Sequence, residues 1–455
     1  MNRDIAIIKL TIISTIRSYS FISITLLSCI FAFFIPLTVF SGGGLVDLFQ
    51  IRIDYSLEIC SILIFISSVW SGCSIMAEDI ELYKIHMLVV KPISKLRIWL
   101  NRFLGVFIIH LLFLMLISFI IFLMLHIMSN KGSLSSREKI EIKEKVFTGR
   151  KSYTSQLSGL NEEYSGELNA RIKNTTLSES EKIEMGKKVM YTIISRRGEV
   201  KPGESKTFLF NVVKTNYSNN SNFKFMLYIG SPDMLERQNR PKAEGIWLLQ
   251  VNNERGVSLG EKPETFISNN KYEMSISLKN LSEGENVIKL TYQNLDKDRS
   301  VFFRVTEFPQ VQIKSANFIE NYLRCLLIMA LGIALLSAIG CALGCVFSFP
   351  VAVFVMAAYL LFGSLGNFIL SGNEIFLKND DIQLKIGYSL SKSFLKVITP
   401  IQKFQLSEYI STGMLIDNGT IMETIRKYFL IQFLAISVIG IYVFYRRELG
   451  MVAKR

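Results

Sequence analysis

Long apolar stretches constrain the fold of this chain more than any other feature of its sequence. Six of them lie near residues 21–40, 56–77, 103–127, 319–347, 348–371 and 428–445. About 20 consecutive apolar residues in a helix cross the hydrocarbon core of a bilayer, so each stretch is a candidate span. We therefore predict an α-helical polytopic membrane protein with six transmembrane helices.

Basic residues at the two ends of the chain predict its orientation. They are Arg3, Lys9 and Arg17 at the front, and Arg446, Arg447, Lys454 and Arg455 at the back. Because Lys and Arg resist translocation, both termini are expected in the cytoplasm, with the chain in the cell inner (cytoplasmic) membrane. The formal net charge of +13 then reflects topology and contact with the lipid bilayer, and no nucleic acid partner is expected.

The polar region at 129–317 predicts an inserted extracytoplasmic α+β domain. Residues 129–200 have a broken helical pattern, which indicates helix and loop. From 201 to 317 short β-prone runs alternate with turns at roughly ten-residue spacing, which is typical of an antiparallel β-sandwich or jelly roll. The runs are KTFLFNVV, FKFMLYI, GIWLLQV, YEMSISL, NVIKLTYQ and SVFFRVTEF.

The rest of the chain divides around the apolar stretches. Residues 1–20 predict a cytoplasmic amphipathic interfacial helix, with Ile5, Ile8, Ile12 and Ile16 on one side. The remaining segments are 21–128 with spans one to three, 318–372 with spans four and five, 373–425 as an extracytoplasmic loop, and 426–455 with span six and a basic cytoplasmic tail.

The hairpin at 78–102, between spans two and three, is the main candidate functional segment. Leu82, Ile85 and Leu88 recur at roughly helical spacing, and Pro92 ends or bends that helix before a second segment starts at Ser94. Basic residues beside the spans place the hairpin in the cytoplasm. We therefore expect a short amphipathic helix onto which a soluble partner docks.

The same hairpin resembles that of ABC transporter permeases of the type-2 exporter class. The matching residues are Glu81, Leu88, the run Lys91-Pro92-Ile93-Ser94-Lys95, and the run Arg102-Phe103-Leu104-Gly105. The chain departs from the family in having Lys95 for the usual Arg and Asn101 for the usual Gly. Partial matches also occur in the turn FSFPVA at 347–352, in FLKVITPIQKFQLSE at 394–408 and in FYRREL at 444–449.

This resemblance implies a function and a set of partners. In the family the hairpin couples the permease to separate ABC ATPase subunits, two per complex, and a second permease chain, the same or homologous, completes the dimer. ATP and Mg would be used by the ATPase, so no catalytic residue or directly bound cofactor is expected here. The coupling residues implied are Glu78, Glu81, Leu82, Ile85, Leu88, Lys91, Pro92, Ser94 and Lys95. The outer domain would meet an envelope protein or a lipid.

Four further positions inside the predicted spans are candidates for helix packing or for function. Gly340 and Gly344 form one GxxxG step, which favours close helix packing. Glu58 and His110 are candidates for a substrate path, because ionisable groups within a membrane are costly and often functional. For His110 the alternative is a ring satisfied by a polar group on a neighbouring span. No spacing of cysteines indicates a metal site.

Two other functions compete with ATP-driven export. One is a permease like those of lipopolysaccharide export, which also have six spans and pass lipid to a jelly-roll domain after span three. The other is a membrane-anchored ligand sensor with no transport. An intramembrane enzyme is disfavoured, because the spans carry no paired carboxylates or His-rich cluster.

Overall fold

The fold is that of a computed structural model, and it forms two compact units. One contains Met1–Gly149 and Asn317–Arg455, and the other contains Arg150–Ala316. The residues described are 2–85, 93–132, 134–155, 160–172, 179–214, 220–230, 241–252, 257–259, 263–278, 281, 284–304, 308–372 and 401–447.

The first unit is helical. Its α-helices are α1 (Asn2–Ile16), α2 (Tyr19–Thr38), α3 (Leu45–Glu81), α4 (Lys95–Ser129) and α5 (Ser136–Lys145). After the second unit come α8 (Phe318–Val346), α9 (Phe349–Gly372), a 3₁₀ turn (Ile401–Phe404), α10 (Ser407–Ser411), α11 (Asn418–Thr424), a π-helical segment (Ile425–Phe433) and α12 (Leu434–Arg446).

Among the described residues, five helices are long and apolar enough to cross a membrane. They are α2, α3, α4, α8 and the continuous helix Asn418–Arg446, which joins α11, the π-helical segment and α12. The prediction of a helical multi-span protein is thus confirmed in part, since these five helices could span a membrane. The helix α3 begins at Leu45 rather than near residue 56. Asp47, Arg52 and Asp54 interrupt the apolar stretch but not the helix, and Arg52 Nε donates to the Val39 carbonyl at 3.1 Å.

Small residues let α3 and α8 cross closely at the centre of this unit. A Cβ added at Gly340 would lie 2.9 Å from the Val69 carbonyl oxygen, and one added at Gly344 would lie 2.7 Å from that of Cys73. Both distances are too short for any side chain, so the two backbones touch only because these positions are glycine. The GxxxG step therefore lies at a contact within the chain.

The helix α1 packs on α4 through a face that the sequence did not predict. Its buried residues are Ile7, Thr11 and Thr15, whereas Ile5 and Ile16 are exposed. The packing is close, because a Cβ added at Gly105 of α4 would lie 2.5 Å from Thr11 Cβ. Part of the predicted isoleucine face, Ile5 and Ile16, therefore points away from the chain's own core. Lipid would cover this exposed part.

The described part of the predicted outer loop at 373–425 begins at residue 401, and its extracytoplasmic location stays a prediction. This part folds into short helices, and Phe404 is buried at 1% exposure against Gly332 of α8. Asn321 of α8 donates to the Met414 carbonyl at 2.7 Å and accepts from the Ile416 N–H at 2.9 Å. Apolar packing and hydrogen bonds between the Asn321 side chain and backbone groups therefore hold this segment against α8.

The second unit combines two helices with antiparallel strands. Its helices are α6 (Leu160–Ile172) and α7 (Glu179–Gly198). Its strands are β1 (Thr148–Thr154), β2 (Glu199–Val200), β3 (Ser205–Val213), β4 (Asn220–Ile229), β5 (Lys242–Val251), β6 (Val257–Ser258), β7 (Glu264–Ile267), β8 (Asn270–Ser277), β9 (Glu285–Asn294), β10 (Val301–Phe302) and β11 (Gln310–Asn317).

The strands form two sheets that share one hydrophobic core. One sheet has the order β1-β11-β4-β10-β2 with β8 on the other edge of β4, and the second has the order β3-β9-β5-β6 with β7 beside β5. Phe223 of the first sheet meets Trp247 of the second edge-to-face, with ring centroids 4.7 Å apart. The β-prone runs coincide with β3, β4, β5, β8, β9 and β10, while β1, β2, β6, β7 and β11 were not predicted.

The division between the units falls later than the predicted boundary at residue 129. The helix α5 packs against α3, and the residues up to Gly149 belong to the helical unit. Ile142 is fully buried there. Val146 is buried as well, but two apolar residues in an otherwise polar segment gave too little periodicity to predict this contact.

Candidate functional site

The hairpin begins where α3 ends and exposes two large side chains. The helix ends at Glu81, and Tyr83 then adopts a left-handed backbone with φ +57°, which is uncommon for a residue other than glycine. Leu82 is 59% exposed and Tyr83 is 56% exposed. The end of α3 therefore offers an apolar contact surface beside the hairpin.

Glu81 joins the hairpin to the start of α9. Its carboxylate accepts a hydrogen bond from the backbone N–H of Phe349, the first residue of α9, at 3.0 Å. An anion is stabilised at a helix start, where backbone N–H groups lack partners within the helix. Trp70 of α3 also packs edge-to-face on Phe349, with ring centroids 5.2 Å apart. The two helix ends are thus joined by both polar and aromatic contacts.

Lys95 joins the other end of the hairpin to the end of α12. Its ammonium donates to the carbonyls of Tyr445 and Arg447 at 3.0 and 3.2 Å, and it lies 5.6 Å from the Tyr445 ring centroid. A cation is favourable at a helix end, where the last carbonyls lack helical partners. The Arg447 guanidinium donates in turn to the Cys345 carbonyl near the end of α8.

Other predicted coupling residues divide into three groups. Ser94 is the N-cap of α4 and accepts from the Arg97 N–H at 3.4 Å. Ile85 has no exposed surface and packs in the chain's own core, so its predicted place on the docking face is wrong. Leu88, Lys91 and Pro92 lie outside the described residues.

A buried ion pair joins the two ends of the hairpin, where Asp79 and Arg102 lie. Arg102 Nη2 contacts Asp79 Oδ2 at 2.5 Å, and the two side chains are 5% and 10% exposed. Arg102 also donates to Thr11 Oγ1 at 3.0 Å, which brings α1 into the cluster. Glu78 accepts from Ser74 at 2.5 Å on the same turn of α3. The sequence did not lead us to predict this pair. Two opposite charges near the facing ends of neighbouring spans could have indicated it, because buried charges in a membrane protein usually pair with one another.

His110 and Glu58 do not form a common site. The His110 ring is fully buried, and its Nδ1 lies 2.8 Å from the Val106 carbonyl. Because a carbonyl only accepts, Nδ1 carries the proton and Nε2 is left to pair with Ser67 Oγ of α3 at 3.1 Å. The ring is therefore satisfied by a neighbouring helix, as the alternative interpretation proposed. Glu58 is partly buried on α3.

No metal-binding or thiol chemistry is indicated at this site. Across the part of the chain that the structure describes, no group of three or more His, Cys, Asp or Glu residues is placed to hold a metal ion. Cys73, Cys341 and Cys345 are buried free thiols in the helical unit. The arrangement is one of mechanical contacts between helix ends.

Comparison with known proteins adds no family assignment. No protein-family model, no curated protein and no solved structure matches this chain. The contacts described above therefore carry the functional argument.

Proposed function

We propose that this chain is the membrane permease subunit of an ATP-driven ABC transporter, and that it works as an exporter. Two separate ATPase chains would dock at the hairpin, and a second permease chain would complete the pore. The ATPase chains would hold ATP and Mg. The support is the hairpin, whose two ends contact other candidate spans.

The proposal includes a sixth span. The helix α9 has 24 residues, which corresponds to about 36 Å at 1.5 Å per residue and exceeds a hydrocarbon core of about 30 Å. Basic residues at both ends of the chain support cytoplasmic termini in the inner membrane. The second unit would then lie outside the cytoplasm, with its two sheets arranged as a β-sandwich or jelly roll.

The anchoring of the hairpin supplies a route for force. A partner that presses on Leu82 would move the end of α3 and, through Glu81, the start of α9. The same motion at Lys95 would act on the end of α12. An ATPase that contacts the hairpin differently in its open and closed states would therefore bias the spans between inward-open and outward-open arrangements.

The interior of the second unit bears on the lipopolysaccharide-type alternative. Among its described residues, the core is filled by packed aromatic rings, including Trp247 and Tyr292 at 5.1 Å between centroids. The cavity beside Gly245 and Phe266 measures about 10 Å³, close to the space of one water molecule. This packing favours a unit that binds an envelope partner on its surface over one that carries an acyl chain inside.

Co-purification tests the proposal. The full chain would be isolated from native membranes in mild detergent, and bound proteins would be identified by mass spectrometry. We expect a stoichiometric ATPase, and we expect Leu82→Asp to weaken its binding at least tenfold, because a charge would enter an apolar contact. Leu88→Asp tests the predicted helix in the same way.

Leu209→Asp is the matched control, since Leu209 is an exposed leucine of β3 in the second unit. It should leave ATPase binding unchanged. Purification of the chain without an ATPase, or with a signalling protein, would contradict the transporter proposal and favour the sensor.

A further inference from the structure

A polar cleft of about 480 Å³ lies between the end of α1, the start of α2 and the last turns of α3. Glu81 and Lys95, whose contacts join the hairpin to α9 and α12, lie outside its lining, whereas Glu78, Asp79, Lys84 and Arg102 of the hairpin belong to it. Its cationic residues are Arg17, Lys84 and Arg102. Hydroxyl groups of Ser18 and Ser71 are also in its wall.

The lining of the cleft carries three cations and two carboxylates, Glu78 and Asp79, which leaves an excess of one positive charge. Asp79 is paired with Arg102 at 2.5 Å, and Glu78 accepts from the Ser74 hydroxyl. Within the described ranges, no salt bridge joins Arg17 or Lys84 to a carboxylate. Both side chains belong to exposed residues at the edge of the cleft. A ligand with negative charge is therefore favoured.

The start of α2 adds backbone donors to the same cleft. Its N-cap Ser18 makes no side-chain capping bond. The first helical hydrogen bond runs from the Ile22 N–H to the Ser18 carbonyl at 3.1 Å, so the N–H groups of Tyr19, Ser20 and Phe21 precede it. Unpaired N–H groups at the start of a 20-residue helix favour an oxyanion.

Apolar surface next to the cleft distinguishes a lipid from a small soluble anion. Leu10 and Ile13 line the cleft, and they are 50% and 36% exposed. Ile22 and Leu26 continue this exposed apolar surface along α2. Tyr19 is 87% exposed at the cleft mouth, a position typical of aromatic residues at a bilayer interface.

We propose that this cleft binds the phosphate headgroup of an anionic phospholipid. Arg17 and Lys84 contact the phosphate as cations, and the first N–H groups of α2 donate to its oxygens. The pair of Asp79 and Arg102 forms the floor. The acyl chains lie on the apolar surface of α1 and α2. Binding of this lipid does not depend on an ATPase partner, so it can be tested separately from the transporter proposal.

The test is native mass spectrometry of the full chain in detergent, titrated with dioleoylphosphatidylglycerol. The double variant Arg17→Gln, Lys84→Gln is expected to weaken binding roughly 30-fold, and each single variant roughly 5-fold, as basic residues near a lipid surface typically contribute. Arg3→Gln with Lys9→Gln is the matched control, because it removes the same charge from exposed positions of α1 outside the cleft. It should change binding by less than about 2-fold.

Two further arms identify the source of the phosphate. Dioleoylphosphatidylcholine has no net charge and should bind far more weakly, and inorganic phosphate at matching concentration should not displace the lipid. Arg17→Lys should retain binding, which guards against a variant that merely fails to fold. Equal losses in the cleft and control variants, equal binding of the neutral lipid, or displacement by inorganic phosphate would each overturn the proposal.

Discussion

Both units of this chain have apolar cores, but they differ in what their outer surfaces expose and in which polar groups they bury. In the second unit Trp247 and Phe210 are at most 2% exposed, and the charged groups lie largely at the surface. In the helical unit Leu112 is 58% exposed, whereas His110, two residues earlier on α4, is fully buried. Asp79 and Arg102 are also inside.

This difference reflects the solvent that each unit requires. A water-soluble unit buries apolar area because water is excluded from it, as the two sheets do around their shared core. A helical unit surrounded by lipid gains nothing from burying leucine, so polar and small residues become its internal contacts. The exposed apolar surface of the helical unit is therefore the kind that a bilayer would cover.

The largest expected effect concerns the buried ion pair. Replacing Arg102 with Met leaves the Asp79 carboxylate buried without its cation, and we expect a loss of about 3–5 kcal/mol in the free energy of unfolding. The additional change Asp79→Leu should restore most of it, because removing both charges also removes their desolvation cost. Denaturant unfolding of the full chain in detergent measures both values.

Arg150→Met in the second unit is the comparison for this experiment. Arg150 lies 3.3 Å from Glu273, which is 27% exposed and also accepts from Asn222 at 2.7 Å. Burial lowers the pKa of Arg150, and Glu273 opposes that shift. Glu273 keeps water and a second partner, so the loss should be nearer about 1 kcal/mol. Equal losses in the two units would contradict the proposed difference in environment.

A pair of identical substitutions tests the outer surfaces. Leu112→Asp should cost about 2.5–3.5 kcal/mol, because a carboxylate near the middle of a span would face hydrocarbon. Leu209→Asp in the second unit should change stability by no more than about 0.5 kcal/mol, since its side chain already meets water. Insertion assays and unfolding in detergent provide the two measurements. A tolerated aspartate at position 112 would indicate that α4 faces water there.

The smallest effect is a pH dependence in the second unit. Hydrogen bonds from Arg196 and Arg197 of α7 lower the pKa of Glu163 on α6. A carboxyl group with a lowered pKa stabilises the folded state above its unfolded pKa, and this contribution is lost as the pH falls through the folded value. The difference in the free energy of unfolding between the wild type and Glu163→Gln should therefore shrink as the pH falls below 4.5, the ordinary pKa of a glutamate side chain.

Glu162→Gln, on the neighbouring residue, is the control for this series. It should show no such narrowing when denaturant unfolding is followed from pH 7 to pH 3. A wild-type stability that falls in parallel with that of Glu163→Gln would rule out the proposed contribution of these hydrogen bonds.

Periodicity explains which elements were predictable from the sequence. The apolar stretches predict helices and the alternating residues of β9 predict a strand, because in both cases the pattern lies within the element itself. The strand β1, TGRKSYT, has no such alternation and gains its strand conformation by pairing with β11. Polar strands of this kind depend on tertiary contacts, which no local pattern contains.

The candidate site was predictable only in outline. The hairpin was identified, but the contacts of Glu81 with Phe349 and of Lys95 with Tyr445 join residues more than 250 positions apart. The burial of Ile85 depends on how the turn at Tyr83 aims the chain, and a left-handed tyrosine has no sequence signature. Most of the contacts that the sequence did not predict therefore depend on how each helix is rotated about its axis in the folded chain.

The contact of Lys95 with the Tyr445 and Arg447 carbonyls also constrains how many times the chain can cross a membrane between these residues. Two groups 3 Å apart occupy one side of the bilayer, so the chain must cross an even number of times between residues 95 and 447. Among the described residues, the helices α4, α8 and Asn418–Arg446 are three candidate crossings. We propose that α9 makes the fourth.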